Sequence, residues 1–512
     1  MKSVSLQAAR SPLVLALDIG TSSVRALLFD ADARQVETTE SQTTWQLDAT
    51  ADGGLTADAR DLVDLVCKTI DQTLDQSSSR TADIAGVGCS SFWHSLLALN
   101  DAHEPIGPLY MWIDNRSHTD ANALREHEDL ARRMRSETGC RPHSSYWPAK
   151  LVWLARTNQQ LFRQSRHWVS FTDYLGFRLN GRLATSVCMA SGTGLLNIQT
   201  STWHESISGR FGIDIATLPQ LMDRLDPCPA LSDEYRQRWP ALADAPWYPA
   251  LGDGAAANVG SGCVGTDRIA MTIGTSAAMR LIVPSDAIAE TTPTPLWEYR
   301  LDRSHHVIGG ALSNGGNVTR WIADVMADGN IEGLSGEAKN ITAPDSHGLT
   351  WLPFFAGERS PSWNDEAFGS LLGLRFSTTR AEIFRAALEG TAYRLAAVYD
   401  QLKLIANPVH EIHANGGAAL NSPLWMSIIA DTFGQRLDAM DADAEVSARG
   451  AAVSVLNAIG ELPDLRPAKI ESSETYQPEP KHFPLYQRAR HRQTAYESAI
   501  DKVQAQNHYQ EP

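Results

Sequence analysis

LALDIGTSSVRALLF, residues 15–29, sets an apolar run against a lone carboxylate, a turn of small residues and a second apolar run. RIAMTIGTSAAMRLIV, residues 268–283, writes nearly the same phrase again, with Thr272 where Asp18 stood. Each copy reads as two strands joined by a tight turn. One falls in each half of the chain, in matching apolar settings, which predicts a duplicated unit. The length agrees, because 512 residues exceed a single core and predict two domains of roughly 200–250 residues.

Around the hairpins strands and helices alternate, so the fold class is α/β. In the first half Ala57–Leu74 reads as an amphipathic helix opened by Thr56, and Ile84–Cys89 and Leu96–Leu99 as buried strands. Ser117–Glu137, Lys150–Arg156 and Trp168–Leu179 read as helical. In the second half Val307–Ala311 and Glu411–Ala414 read as strands, and Val318–Ala327, Arg380–Leu404 and Pro423–Phe433 as helices. The expected division is a tail over 1–11, a first domain over 12–262, a second over 263–500 and a polar tail over 501–512.

A net charge of −16 argues against a nucleic-acid or anionic-membrane footprint. Cys67, Cys89, Cys140, Cys188, Cys228 and Cys263 are scattered without CxxC spacing, which suits free thiols in a reducing cytoplasm. The apolar run Leu13–Leu17 ends on Asp18 without a small-residue cleavage site, so the start reads as a tail entering a strand and not as a signal peptide. Nothing approaches the roughly 18 consecutive apolar residues of a membrane span. His305 and His306 read as surface residues without an acidic or Cys partner.

A Gly-Thr-Ser turn between strands aims backbone N–H groups and hydroxyls at one point, a nest suited to phosphate. Arg25 would add a cationic fork. Asp18 beside a phosphate makes sense if Mg2+ lies between them; alternatively it only caps the turn. Two nests on facing domains suggest a clamped polyphosphate. No Walker loop and no protein-kinase signature occurs. Gly260-Ser-Gly-Cys-Val-Gly265 matches GxGxxG, but a helix-like stretch precedes it and a strand follows, the reverse of the dinucleotide-binding order. Upstream lies LGDGAAAN, residues 251–258. Asp253 there sits between glycines at the start of a small-residue run, where an acid can accept the proton of an attacking hydroxyl.

Taken together, DIGTSSVR, MWIDNR, GDGAAANVGSG, MTIGTSAAM, LSNGGNVTRW, LPFFAGERSPSWNDEAFGSLLGL and HANGGAALNSPLW resemble the FGGY carbohydrate kinases. The resemblance covers roughly Leu13 to Ala499. It implies two actin-like, ribonuclease H-like domains with a cleft between them, and ATP and Mg2+ as cofactors. SSFWHS, WIDNRS and the TIGTSAAMR series look most like the bacterial gluconate kinases of that family. By the resemblance Asp253 is the general base and Asp18 the acid beside Mg2+. Thr21, Ser22 and Arg25 form the first phosphate loop, and Gly274 and Thr275 the second. Gly316, Gly417, Ala418 and Asn421 match nucleotide-binding positions. Trp93, His94, Trp112, Asp114, Arg116 and Lys150 would line the sugar. SSFWHS departs from the GQMHG-like loop of xylulokinases, and Trp93-His94 from the Arg-Glu pair of glycerol kinases.

The expected activity is phosphorylation of a small sugar or sugar acid, best D-gluconate to 6-phosphogluconate. The rivals are a ketose kinase for xylulose or ribulose, and a non-catalytic sugar or nucleotide sensor. A sugar acid needs a cation for its carboxylate, with Arg116 or Lys150 the candidates. The expected partners are the sugar and ATP or ADP, with no nucleic acid or membrane; a homodimer is compatible with the sequence.

Overall fold

The computed structural model describes residues 3–508 apart from 289–291, 342, 356, 365, 407, 442–444 and 467–471. Asp365, in the SPSWNDEAFG stretch, lies outside the described residues.

β1 (Leu13–Ile19) and β2 (Ser23–Phe29) form the first hairpin, with Asp18 directly opposite Arg25. β3 (Ser41–Thr44) pairs antiparallel with β2, and α1 (Ala59–Gln76) lays Leu62, Val63, Val66 and Ile70 on the core. β4 (Ile84–Ser91) runs parallel to β1 on its other side. α2 (Trp147–Thr157) follows, then β5 (Leu251–Gly252), parallel to β4, which runs straight into α3 (Asp253–Gly260). The five strands lie in the order β5-β4-β1-β2-β3.

The second half repeats this plan. β6 (Arg268–Ile273) and β7 (Ala277–Pro284) form the second hairpin. β8 (Trp297–Arg300) and β9 (His305–Leu312) continue the sheet antiparallel. α4 (Gly316–Met326) and α5 (Arg380–Leu402) cover it. β10 (Glu411–Asn415) runs parallel to β6, followed by α6 (Pro423–Phe433), β11 (Leu437–Ala439), α7 (Val446–Ala458), β12 (Glu474–Tyr476) and α8 (Phe483–His508). The order is β8-β9-β7-β6-β10-β11-β12. Within it β9-β7-β6-β10-β11 repeats β3-β2-β1-β4-β5. Thr272 therefore occupies the place in its sheet that Asp18 occupies in the other.

Between the sheets α3 packs on α7, with Ala255, Ala256 and Val259 against Ala448, Ala451 and Ala452. α7 also lies on β4, whose Gly86 and Gly88 face Val455 and Ala451. Among the described residues no helix is long and apolar enough to cross a membrane.

Several local expectations change. α1 opens at Asp58, whose carboxylate accepts the N–H groups of Arg60 and Asp61, and not at Thr56. Leu55–Ala57 is instead a short strand paired with Asp48–Ala49 and Leu109–Tyr110. Trp168 belongs to a strand, His167–Val169, and the helix starts at Phe171 behind a Ser170–Asp173 capping box. The helical text over 117–137 breaks at His127. Residues 3–11 are not a loose tail, since Val4 bonds across to Gln35 and Glu37. α8 carries helix through most of the expected C-terminal tail. His306 is buried on Glu298 at 2.7 Å and His305 contacts Asp302 at 3.0 Å, because the β8–β9 turn folds those acids back onto them.

Candidate active site

Both glycine turns open on the cleft. Gly20 N–H donates to Ser23 O at 2.9 Å and Gly274 N–H to Ser276 O at 2.9 Å, so each turn is closed from its glycine, the second by one residue less. A Cβ on Gly274 would meet nothing within 4 Å and would project into the space above the turn. Gly316 closes against it from α4: its N–H donates to Gly274 O at 2.8 Å, and a Cβ there would stand 2.6 Å from that oxygen. Only glycine allows this approach. Gly274, Thr275, Gly316, Gly417, Ala418 and Asn421 all line one pocket, as expected of one ligand's contacts. Thr21 is held by Trp112, whose Nε1 donates to its Oγ1 at 3.2 Å. Arg25 stands among three carboxylates, 3.9 Å from Asp18, 3.7 Å from Glu40 and 3.5 Å from Glu445.

Asp18 and Asp253 share this cleft. Burial lifts the Asp18 carboxyl to about 6, the charge of Asp253 adds to the rise, and the Ser90 hydroxyl and Arg25 oppose it. Asp253 begins α3 and accepts Gly254 N–H at 2.7 Å. Water reaches its carboxylate from the cleft, but protein surrounds the remaining sides. That desolvation raises its pKa, against the pull of Arg280 and of the Gly254 N–H.

The raised Asp18 carboxyl has a measurable consequence. The folded state binds its proton more tightly than the unfolded chain, so stability falls as pH rises from about 4 to about 6 and is level above. Asp18→Asn removes a cost of up to about 3 kcal/mol at pH 7.5 and about half of that at pH 5. Urea midpoints of the ligand-free protein at the two pH values check this. A variant no more stable than the parent at pH 7.5 would mean that Asp18 is not strained.

The expected sugar wall is partly rearranged. His94 keeps a ring edge on the cleft, and its Nδ1 pairs with Gly192 O. A carbonyl only accepts, so Nδ1 carries the proton and Nε2 is an acceptor. Burial holds this imidazole down at about 3, hence neutral. Trp93 is only 6% exposed and is no wall. Its Nε1 donates to Cys188 O at 3.1 Å, and its ring fills the space beside Gly252 and Gly254, so it props the Asp253 turn. Lys150 is 1% exposed and spends its ammonium on Ser144 O and Ser145 O, both at 2.7 Å. Burial pulls it down to about 7. Arg116 forks onto Asp114, Nε to Oδ1 at 3.1 Å and Nη2 to Oδ2 at 2.5 Å, while Asp114 also accepts Leu55 N–H. This pair staples a loop, and the hydrogen bonds of the Arg116 and Lys150 side chains named here go to protein groups.

Three cleft residues, Tyr146, Tyr299 and Arg280, escaped the sequence reading. Tyr146 and Tyr299 join hydroxyls at 2.5 Å, with ring centroids 5.0 and 5.7 Å from His94. Arg280 projects from β7, and Arg359 acts electrostatically on Arg280, His94 and both tyrosines. Arg280 was legible, because it shares the cleft face of the hairpin with Thr272 and Ala278.

Two hairpin-bearing sheets of one topology, closed on a cleft, are the fold of the sugar kinases and actin-like ATPases. Residues 13–260 match the N-terminal domain of the FGGY family of carbohydrate kinases, and residues 269–458 its C-terminal domain. The chain belongs to this family and is a carbohydrate kinase. It is 28% identical over 493 residues to the gluconokinase of Bacillus subtilis (strain 168), covering 94% of this chain and 93% of that one. It is 30% identical over 451 residues to the xylulose kinase of Streptomyces rubiginosus, covering 87% and 88%. The crystal structure of gluconate kinase from Lactobacillus acidophilus superposes with a TM-score of 0.87 at 26% identity, over 95% of this chain and 98% of that one.

Proposed function

We propose that the protein phosphorylates a hydroxyl of a small sugar acid with ATP, D-gluconate giving 6-phosphogluconate, and that Asp253 is the general base. The carrying observation is the Asp253 carboxylate at the start of α3, opening on the cleft between two glycine hairpins with its pKa raised. The gluconokinase and gluconate kinase similarities support the substrate, and the unpaired cysteines suit a reducing cytoplasm.

The residues suit ATP and Mg2+. Two carboxylates held within electrostatic range in a desolvated cleft call for a cation, and Asp18 would hold it directly or through water. Bound Mg2+ would neutralise charge on the β- and γ-phosphates. Thr21, Ser22 and Arg25 would face the phosphates from one side and Gly274 and Thr275 from the other. Gly316, Gly417, Ala418 and Asn421 would hold the rest of the nucleotide. Asp253 accepts the proton of the attacking hydroxyl, and its raised pKa brings the base closer to the working pH. His94, neutral, offers Nε2 to a sugar hydroxyl. Closure of the two sheets on the ligands excludes water.

A coupled ADP-release screen over sugar acids, ketoses and polyols tests the substrate, with gluconate expected to give the highest kcat/KM. The 30% identity to a xylulose kinase favours a ketose as the second reading. Turnover of xylulose or ribulose with gluconate inert would establish that reading and leave the kinase assignment standing. The pH profile tests the base. Because Asp253 is raised, its active anion is lost as pH falls through a value above 3.8, and kcat/KM should show its acid limb there. A limb at or below 3.8 would remove Asp253 from the role.

A further inference from the structure

A pocket of about 550 Å³ lies where the helix Glu128–Thr138 and the turn after it meet Thr292, Thr294, Glu298 and Trp363 of the second half. It shares no residue with the nucleotide pocket, and none of its residues belongs to the cleft described above. We propose that Arg135 and Arg141 make it a second ligand site, which takes the phosphate group of a small phosphate ester and lays the organic part against Trp363.

The two guanidinium groups are fixed by one stretch of backbone. Arg135 Nη2 donates to Thr292 O and to Pro293 O, both at 3.0 Å, and Arg141 Nη2 to Thr294 O at 2.6 Å. Trp363 Nε1 donates to the next carbonyl, Pro295 O, at 2.9 Å, and Arg141 lies over its ring at 5.4 Å. Two cations and an aromatic face are thereby held side by side. Among the described residues neither arginine forms an ion pair, and both Nε atoms are buried without a hydrogen-bond partner. Nη1 of each makes no hydrogen bond to a described residue and is not enclosed, so it is the atom offered to the pocket.

The neighbouring charges leave an excess of positive charge. Glu298 lines the pocket and attracts Arg135, but its carboxylate is held by His306 at 2.7 Å. Arg132 is paired with Asp129. Burial and the charge of Arg135 both hold Arg141 below the usual guanidinium range. Two partly desolvated cations with unmade hydrogen bonds are costly, and an anionic ligand relieves both costs.

The class of ligand follows from charge and room. A carboxylate fills one guanidinium fork, whereas a phosphate dianion presents oxygens to two. An inorganic ion would occupy a small part of about 550 Å³. Trp363, Ile288 and Pro142 line the rest, which suits the organic body of an ester. A carbohydrate kinase releases a molecule of this class, so the ligand is either its own product or another sugar phosphate.

The experiment is calorimetric titration of the full-length protein with glucose 6-phosphate, ribose 5-phosphate and 6-phosphogluconate. Inorganic phosphate and glucose, the two halves of the first ester, are the controls. At least one ester should bind more tightly than inorganic phosphate, and glucose should not compete. Arg135→Met and, independently, Arg141→Met should each weaken that ester by about 10-fold or more, as expected for a lost charged hydrogen bond. Ser136→Glu brings a negative charge to an exposed position on the rim and should weaken it too. It carries the test if melting curves show that an arginine variant does not fold. Turnover without added ester should keep the parental kcat and KM in all three variants, which separates this pocket from the cleft. The ester that loses most affinity in the variants tells the enzyme's own product from another sugar phosphate. Failure of the parent to bind any of the three esters more tightly than inorganic phosphate would overturn the proposal. Ester affinity unchanged in the folded variants, which would place the ester in the cleft, would overturn it equally.

Discussion

Asp253→Asn should lower kcat by about 10²–10⁴ while the protein stays folded and binds ATP with its parental affinity. The substitution is nearly isosteric, and an asparagine oxygen can still accept the Gly254 N–H that Asp253 accepts at 2.7 Å. What disappears is the basic oxygen. An amide cannot take the hydroxyl proton, so the attacking oxygen would have to give it up to water or phosphate. The structure adds a second expectation. Asp253 is destabilised by desolvation and shares the cleft with Asp18, so neutralising it should leave ligand-free stability unchanged or higher at pH 7.5. Loss of activity with retained or increased stability separates a chemical role from a structural one. Steady-state turnover on the substrate found by the screen, ATP titration and a melting curve supply the three readings. Turnover within threefold of the parent would end the general-base assignment.

The cleft's framework was legible because it is written twice. The periodicity around DIGTSSVR and TIGTSAAMR located both hairpins within a residue or two, and the helix-then-strand order around Gly260–Gly265 disposed of the dinucleotide motif. Pro423–Phe433 was delimited by proline at its start and glycine after its end. Errors arose where tertiary partners decide. Thr56 and Asp58 are both good helix caps, and pairing with Leu109–Tyr110 draws Thr56 into a strand. His305 and His306 looked unpartnered because their acids arrive across a turn. Arg116 and Lys150 were given ligand contacts from the family resemblance and their charge, and the structure shows their named hydrogen bonds going to Asp114 two residues away and to the carbonyls of 144 and 145. Trp93 shows the reverse case, where a bulky residue in a motif serves packing because two glycines leave the space it fills.

Gly450→Ala should be highly damaging although remote from the ligands, lowering kcat/KM about 100-fold and stability by about 1–3 kcal/mol or more. A Cβ on Gly450 would stand 1.8 Å from Ala256 O, and the reciprocal Cβ on Gly260 would stand 1.8 Å from Val446 O. Both obstacles are backbone atoms, so no rotamer relieves them and α3 and α7 must separate. α7 has little freedom to retreat, since a Cβ on Gly88 of β4 would already lie 2.7 Å from Ala451 O on its other side. The displacement therefore falls largely on α3, whose first residue is Asp253. Catalysis is sensitive to shifts on the order of 1 Å in such a group, which links a helix contact to turnover. Gly176→Ala is the control. Gly176 is helical, and a Cβ there meets nothing within 4 Å, so the change should be neutral or stabilise by about 0.5–1 kcal/mol. Urea midpoints and kcat/KM for the two variants test the contrast. Parental activity and stability in Gly450→Ala would show that the α3–α7 contact does not position Asp253, and that its alignment is set by β5 and Trp93 instead.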